Sequence, residues 1–159
     1  MGEVENMELA QELYETMCNF MDKKGFTYDK VEKDLMVVTG GKGEDLPILL
    51  SMQVNKDINQ IMAMSIMPFN VKSECLVQMA TAIAYANYEC SMGQFVLLND
   101  NKIVFTLSTA YNDCIIGEEM FQYLFHATVT IVDKFNDKFI IVANEKLSLE
   151  QIKDLVCKK

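Results

Sequence analysis

The chain of 159 residues has no tryptophan, one histidine, two prolines and seven glycines, and its 14 basic residues are all lysines. Arginine carries the planar fork that clamps phosphate and carboxylate bidentately, and lysine replaces it only as a point charge. Against those lysines stand 23 acids, a net charge of −9, and a negative field repels the phosphate backbone of nucleic acids. The densest basic groups are the pairs Lys23-Lys24 and Lys158-Lys159. Nucleic acid and anionic membrane surfaces are therefore not expected partners, whereas basic protein segments suit the charge. So little glycine and proline excludes a collagen-like or low-complexity chain, and a hydrophobic share of 50% excludes disorder. No apolar run approaches the roughly 18 residues of a membrane span. The acidic opening Met1-Gly2-Glu3-Val4-Glu5 lacks the regions of a signal peptide. Asn6 stands where a myristoylation motif takes Ser or Thr. The expectation is one soluble cytoplasmic domain over 1–159.

Paired cysteine spacing is also missing. Cys18, Cys75, Cys90, Cys114 and Cys157 are odd in number and include no C-x-x-C. They read as small hydrophobes in a reducing compartment, not as disulfide partners or zinc ligands. No cofactor is expected.

What the chain does have is periodicity. From Glu3 to Lys24, Leu9, Leu13, Met17 and Phe20 recur at helical spacing, and Lys23-Lys24-Gly25 supplies a cationic end and a glycine stop. From Phe26 to Pro68 the period becomes two. Leu35–Thr39 reads as a strand, Gly40–Asp45 as a turn, and 48–55 as a half-buried strand with Ile48, Leu50, Met52 and Val54 on one face. Ile58 to Met67 is a third strand, ended by Pro68-Phe69-Asn70, with Met62, Met64 and Ile66 on one face. A helix follows over about 71–88, with Asn70 or Ser73 as candidate caps. After Gly93, Phe95–Leu98 and Ile103–Leu107 flank the turn Asn99-Asp100-Asn101-Lys102, a hairpin. Asn112, Asp113 and Gly117 make the next break. The stripe Phe121, Leu124, Phe125, Thr128, Val132, Phe135, Phe139 and Val142 then predicts a long helix, against the strand propensity of Thr128–Val132. Ser148-Leu149-Glu150-Gln151 is a capping-box pattern opening a short last helix, about 148–157.

Few groups carry chemistry. His126 lies inside the long helix with Glu119 and Asp133 seven residues away on either side, and nothing beside it resembles a catalytic pair. Gly40-Gly41-Lys42-Gly43 lacks the Ser or Thr and the following helix of a phosphate loop, so it reads as a turn. Asn99-Asp100-Asn101 lacks the spacing of a calcium loop. The 12 methionines serve either as adaptable core filler or as a binding surface, Met62, Met64 and Met67 on the third strand with Met52 on the second.

The stretch Pro68 … Ile83-Ala84-Tyr85-Ala86-Asn87 … Gly93-Gln94-Phe95-Val96-Leu97 … Lys102-Ile103-Val104-Phe105 resembles the YbjN family, labelled as bacterial sensory transduction regulators. The family is similar in fold to type III secretion chaperones. The resemblance implies an α+β fold over a core of about 5–143: one antiparallel sheet of about five strands with helices packed on it, ordered αβββαββα, plus the short C-terminal helix. Chaperones of this fold are small acidic homodimers that hold unfolded segments of partners, and the resemblance supplies no catalytic residues.

The leading expectation is thus a bacterial, non-enzymatic protein-binding module with a regulatory or chaperone-like role, working as a homodimer. Its candidate contacts are Ala80, Ile83 and Ala84 on the second helix, or Met62 and Met64 on the third strand. The rival reading is a small-molecule binder or enzyme with a pocket between sheet and helices that uses His126.

Overall fold

Helix α1 occupies Glu3–Lys24, the span its apolar spacing predicts. Its inward stripe, including Leu13, Met17, Phe20 and Met21, is buried. Gly25, at φ 69°, ends it. The Gly25 N–H donates to the Asp22 carbonyl and the Phe26 N–H to that of Met21, each at 3.0 Å. This is the paired Schellman closure, and the Phe20 and Phe26 rings, 6.1 Å apart, supply its hydrophobic contact. The computed structural model describes residues 3–112 and 116–157. Met1, Gly2, Asp113, Cys114, Ile115, Lys158 and Lys159 lie outside the described residues.

Six antiparallel strands follow: β1 (Tyr28–Val31), β2 (Met36–Lys42), β3 (Pro47–Asn55), β4 (Gln60–Asn70), β5 (Gln94–Leu97) and β6 (Lys102–Ala110). Their spatial order is β1-β2-β3-β4-β6-β5. The sheet is therefore one strand larger than about five. The addition is β1, whose centre, Asp29-Lys30, is charged and exposed because it is an edge strand. Nor does Pro68 end its strand. β4 continues to Asn70 through a register shift against β6 between Ile66 and Asn70, an irregularity where a missing N–H is tolerated.

Helix α2 (Leu76–Glu89) starts later than about residue 71, after a 3₁₀ turn at Ser73–Cys75, and no side chain caps it. Neither Asn70 nor Ser73 takes that role. Helix α3 (Glu118–Asn144) runs unbroken through the β-branched stretch. Its helical stripe decides this, burying Phe121, Leu124, Thr128, Val132, Phe135, Phe139 and Val142 together. Helix α4 (Leu149–Cys157) opens on a reciprocal capping box. The Ser148 N–H donates to Gln151 Oε1 at 2.8 Å and the Gln151 N–H to Ser148 Oγ at 3.2 Å.

The helices form one layer. α1 lies against β3, α3 across β3, β4 and β6, and α2 against β5, with α4 on α2 and α3. Between the layers the rings of Phe95, Phe105, Phe135 and Phe139 meet with Phe95 at their centre, at centroid distances of 4.9, 5.6 and 4.9 Å. Every second residue of β3, β4 and β6 enters this core, Ile48 to Val54, Ile61 to Met67 and Ile103 to Leu107. The alternate residues form the opposite face, and no helix among the described residues covers it.

Candidate protein-binding surfaces

The uncovered face is built from three cross-strand rows. Met36, Gln53, Met62 and Ser108 stand in one; Val38, Ser51, Met64, Thr106 and Gln94 in the next; Gly40, Leu49, Ile66, Val104 and Val96 in the third. From β2 to β5 no member is charged; at the β1 edge Asp29, paired with Val38, adds one exposed carboxylate to the second row. Leu49 and Ile66 are 51% and 45% exposed, and Met62 and Met64 are half-buried. Strand parity separates the methionines. Met52 and Met67 point into the core and are buried, while Met62 and Met64 point out. Met52 and Met67 thus fill the core, while Met62 and Met64 stand on the opposite face of the same sheet. The third row, Leu49, Ile66, Val104 and Val96, is apolar across four strands, and contiguous apolar surface marks an interaction site more often than scattered apolar residues do.

A second apolar surface lies on α2, which bears no charge from Leu76 to Tyr88. Its outer stripe joins Val77 and Tyr88, 77% and 85% exposed, through the exposed Ala80 and Ala84. Ile83 is not part of it. It is only 8% exposed and turns into the core with Met79, Ala82 and Ala86.

Asn87 explains the one polar residue of the second-helix pattern. Its side-chain amide donates to the Phe95 carbonyl at 3.0 Å and accepts the Phe95 N–H at 2.7 Å. The Leu98 N–H donates to the Lys102 carbonyl, so alternation directs the backbone groups of Gln94 and Val96 to β6 and those of Phe95 to the outer edge. Asn87 stands in for a neighbouring strand there and closes that edge.

His126 is exposed on the outer side of α3. It borders an open groove of about 520 Å³ between α3 and Ser91-Met92, whose other walls include Glu119, Tyr123, Ala127 and Ile131. The Tyr123 hydroxyl donates to Met92 Sδ at 2.7 Å. Asp133 does not join this group. Its carboxylate accepts the Glu44 N–H at 2.9 Å and pins the β2–β3 turn to α3. The groove lies on the outside of the helix layer, not between sheet and helices, and nothing in periodicity alone foretold it.

The remaining candidates fall into place as local structure. Gly43 donates to the Leu46 carbonyl at 3.1 Å within the β2–β3 turn. The Asn99–Lys102 turn carries an Asp100–Lys102 pair at 2.7 Å, which holds the Asp100 carboxyl below its ordinary range. Cys18 and Cys75 are buried, Cys90 and Cys157 half-buried, and all four are free thiols. Burial pushes the Cys90 thiol up. Among the described residues no cluster of His, Cys, Asp or Glu is placed to hold a metal ion. Within the same residues no helix is long and apolar enough to cross a membrane.

By sequence, no protein-family model and no curated protein matches the chain. By structure it is similar to YbjN from E. coli, described as a candidate transcription regulator. The TM-score is 0.56 at 12% identity, over 78% of this chain and 91% of that one. It is also similar to ExsC as seen in the ExsC–ExsE complex, with a TM-score of 0.58 at 8% identity over 81% and 94% of the two chains. What the chain shares with both is the fold, the YbjN-like, chaperone-like α+β arrangement of one antiparallel sheet under a layer of helices.

Proposed function

We propose that this chain is a non-enzymatic protein-binding module of the bacterial cytoplasm, regulatory or chaperone-like, that works as a homodimer. The carrying observation is the outer sheet face, uncharged around Met62 and Met64 and with Asp29 only at its β1 edge, left bare in a chain of net charge −9. Methionine keeps such a surface adaptable to more than one apolar sequence. The fold neighbour ExsC was solved in a complex with ExsE, which supports a partner-binding role for this architecture.

Within this reading the sheet face receives the partner, and the outer stripe of α2, through Ala80 and Ala84, joins two copies. Small side chains there permit close helix approach, and Val77 and Tyr88 at its ends supply apolar area. The test is light scattering and thermal melting of the Ala80→Glu, Ala84→Glu double variant. The expected result is a dimer that becomes a monomer with an unchanged melting profile, since both positions are exposed. A wild-type monomer, or a dimer that survives both glutamates, sinks the α2 assignment. In parallel, Met62→Glu with Met64→Glu keeps the dimer and loses the partner.

A further inference from the structure

The sheet has a step in its edge. Just past the end of β6, the Tyr111 N–H donates to the Asn59 carbonyl on the β4 side at 3.1 Å. Alternation then turns the backbone groups of Thr109, Leu107 and Phe105 toward β4 and those of Ala110, Ser108 and Thr106 toward β5. The Leu98 N–H donating to the Lys102 carbonyl at 2.8 Å fixes the same phase from the other side. β5, however, begins at Gln94, opposite Thr106. A longer β5 would set Met92 opposite Ser108 and Cys90 opposite Ala110. Instead Gly93, at φ 67°, swings the chain off this line, and Met92 goes to Tyr123 on α3.

Ser108 and Ala110 therefore present two N–H and two C=O groups to a side with no strand among the described residues. Among the described residues a single long contact reaches them, Thr109 Oγ1 to the Ala110 carbonyl at 3.5 Å. The space opposite is a cavity of about 270 Å³ bordered by Gly93, Gln94, Thr106, Leu107 and Ser108. The same Ser91–Gly93 segment separates it from the groove over α3, where Glu119 offers an exposed carboxylate.

We infer that this step is a docking site for an extended segment of another polypeptide, which continues the line of β5 by pairing with Ser108 and Ala110. The inference rests on the protein-binding reading and names the form its partner takes. Only a strand matches donors and acceptors at this spacing. Its side chains alternate, one set toward the helix layer and the groove, the other toward the open face beside Met62. Glu119 and the net charge of −9 favour a basic residue in the first set. The neighbouring β5 edge is no competitor, because Asn87 already occupies it.

The probe is an acetylated, amidated heptapeptide alternating threonine and valine between terminal lysines, added to the intact ¹⁵N-labelled chain. A twin N-methylated at each threonine and valine is the control. The expected outcome is shifted and exchange-protected Ser108 and Ala110 amides. The twin, lacking the N–H donors for this edge, binds at least about tenfold more weakly. Glu119→Lys weakens the lysine peptide and strengthens its glutamate-ended counterpart. Absence of any shift at ~1 mM peptide overturns the proposal, as do equal binding of the twin and shifts confined to the rows around Met62 and Met64. Protection of Ser108 and Ala110 that grows with protein concentration without peptide also overturns it, and gives the edge to a second copy. Dimer dissociation through Ala80 and Ala84 is read separately, so failure at the step and failure of the dimer are distinguishable.

Discussion

Two glycines at nearly the same dihedral separate the cost of backbone conformation from the cost of crowding. Gly25 and Gly93 stand at φ 69° and 67°. A Cβ at Gly25 meets nothing within 4 Å, whereas at Gly93 it falls 2.4 Å from Phe105 Cζ and 2.8 Å from the Thr106 carbonyl oxygen. Gly25→Ala pays only the left-handed conformation, about 1 kcal/mol. Gly93→Ala adds overpacking against a ring that is fully buried and held by Phe95, about 1–3 kcal/mol more. The totals are about 1 and about 2–4 kcal/mol, or melting shifts of about 2–4 and about 4–16 °C for a chain of this size. Urea midpoints followed by circular dichroism, at constant m-value, give both numbers. A third variant tests the mechanism. Phe105→Leu makes room at the clash, so Gly93→Ala should cost less in that background than alone, a coupling of roughly 1 kcal/mol. Equal losses for the two glycines within about 0.5 kcal/mol, or strict additivity with Phe105→Leu, refute the steric account.

Asn87→Ala removes both hydrogen bonds to Phe95 and should cost about 2 kcal/mol, with hydrogen exchange at the Phe95 amide accelerated beyond the global change. Ser148→Ala breaks the capping box and should cost about 1 kcal/mol, read as loss of protection confined to α4. Burial, reinforced by Cys18, pushes the Tyr14 hydroxyl from 10.0 up to about 12, and burial also raises Tyr28 and Tyr111. The unfolded chain then loses these protons first, so stability is full below pH 10.0 and falls as the pH rises toward about 12. Denaturant midpoints at about pH 9 and about pH 11 should differ, and Tyr14→Phe should narrow the difference.

Where a segment had one polar and one apolar side, its letters sufficed. α1 matched its spacing, α3 held its stripe against β propensity, and parity put Met62 and Met64 on one face. Legibility failed where long-range pairing did the selecting. Tyr28-Asp29-Lys30-Val31 has no apolar alternation, and becomes β1 because β2 offers it an edge. Pro68 stops a strand in isolation but sits in a bulge when β6 returns beside it. On α2 the obstacle was uniformity. Ala80, Ala82, Ala84 and Ala86 step by about 200° each on a helix, so they fall on both sides, and without charges nothing marks which side is outside. Hence Ala80 and Ala84 are exposed while Ile83, one residue away, is buried. Asn87 was visible as part of a family-like pattern, but its reason lies in Phe95, eight residues on and in another element.

The placement of protection bears on what the bare surfaces are for. An open sheet invites uncontrolled pairing through its edges, and proteins blunt that hazard with short edge strands, charges or cover. This chain does so at both ends. β1 has four residues with Asp29 and Lys30 at its centre, and β5 has four with its outer edge taken by Asn87. Solubility alone would favour charging the outward face too, and 37 charged residues, 23 acids and 14 lysines, were at hand for it. From β2 to β5 none stands in the three rows around Met62 and Met64; Asp29, paired with Val38, adds one carboxylate only at the β1 edge. The contrast between guarded edges and an unguarded face is what a binding surface requires. In the proposed binding role, recognition is directed at side chains of the sheet and at the short step in β6, while indiscriminate strand addition at the two outer edges is suppressed.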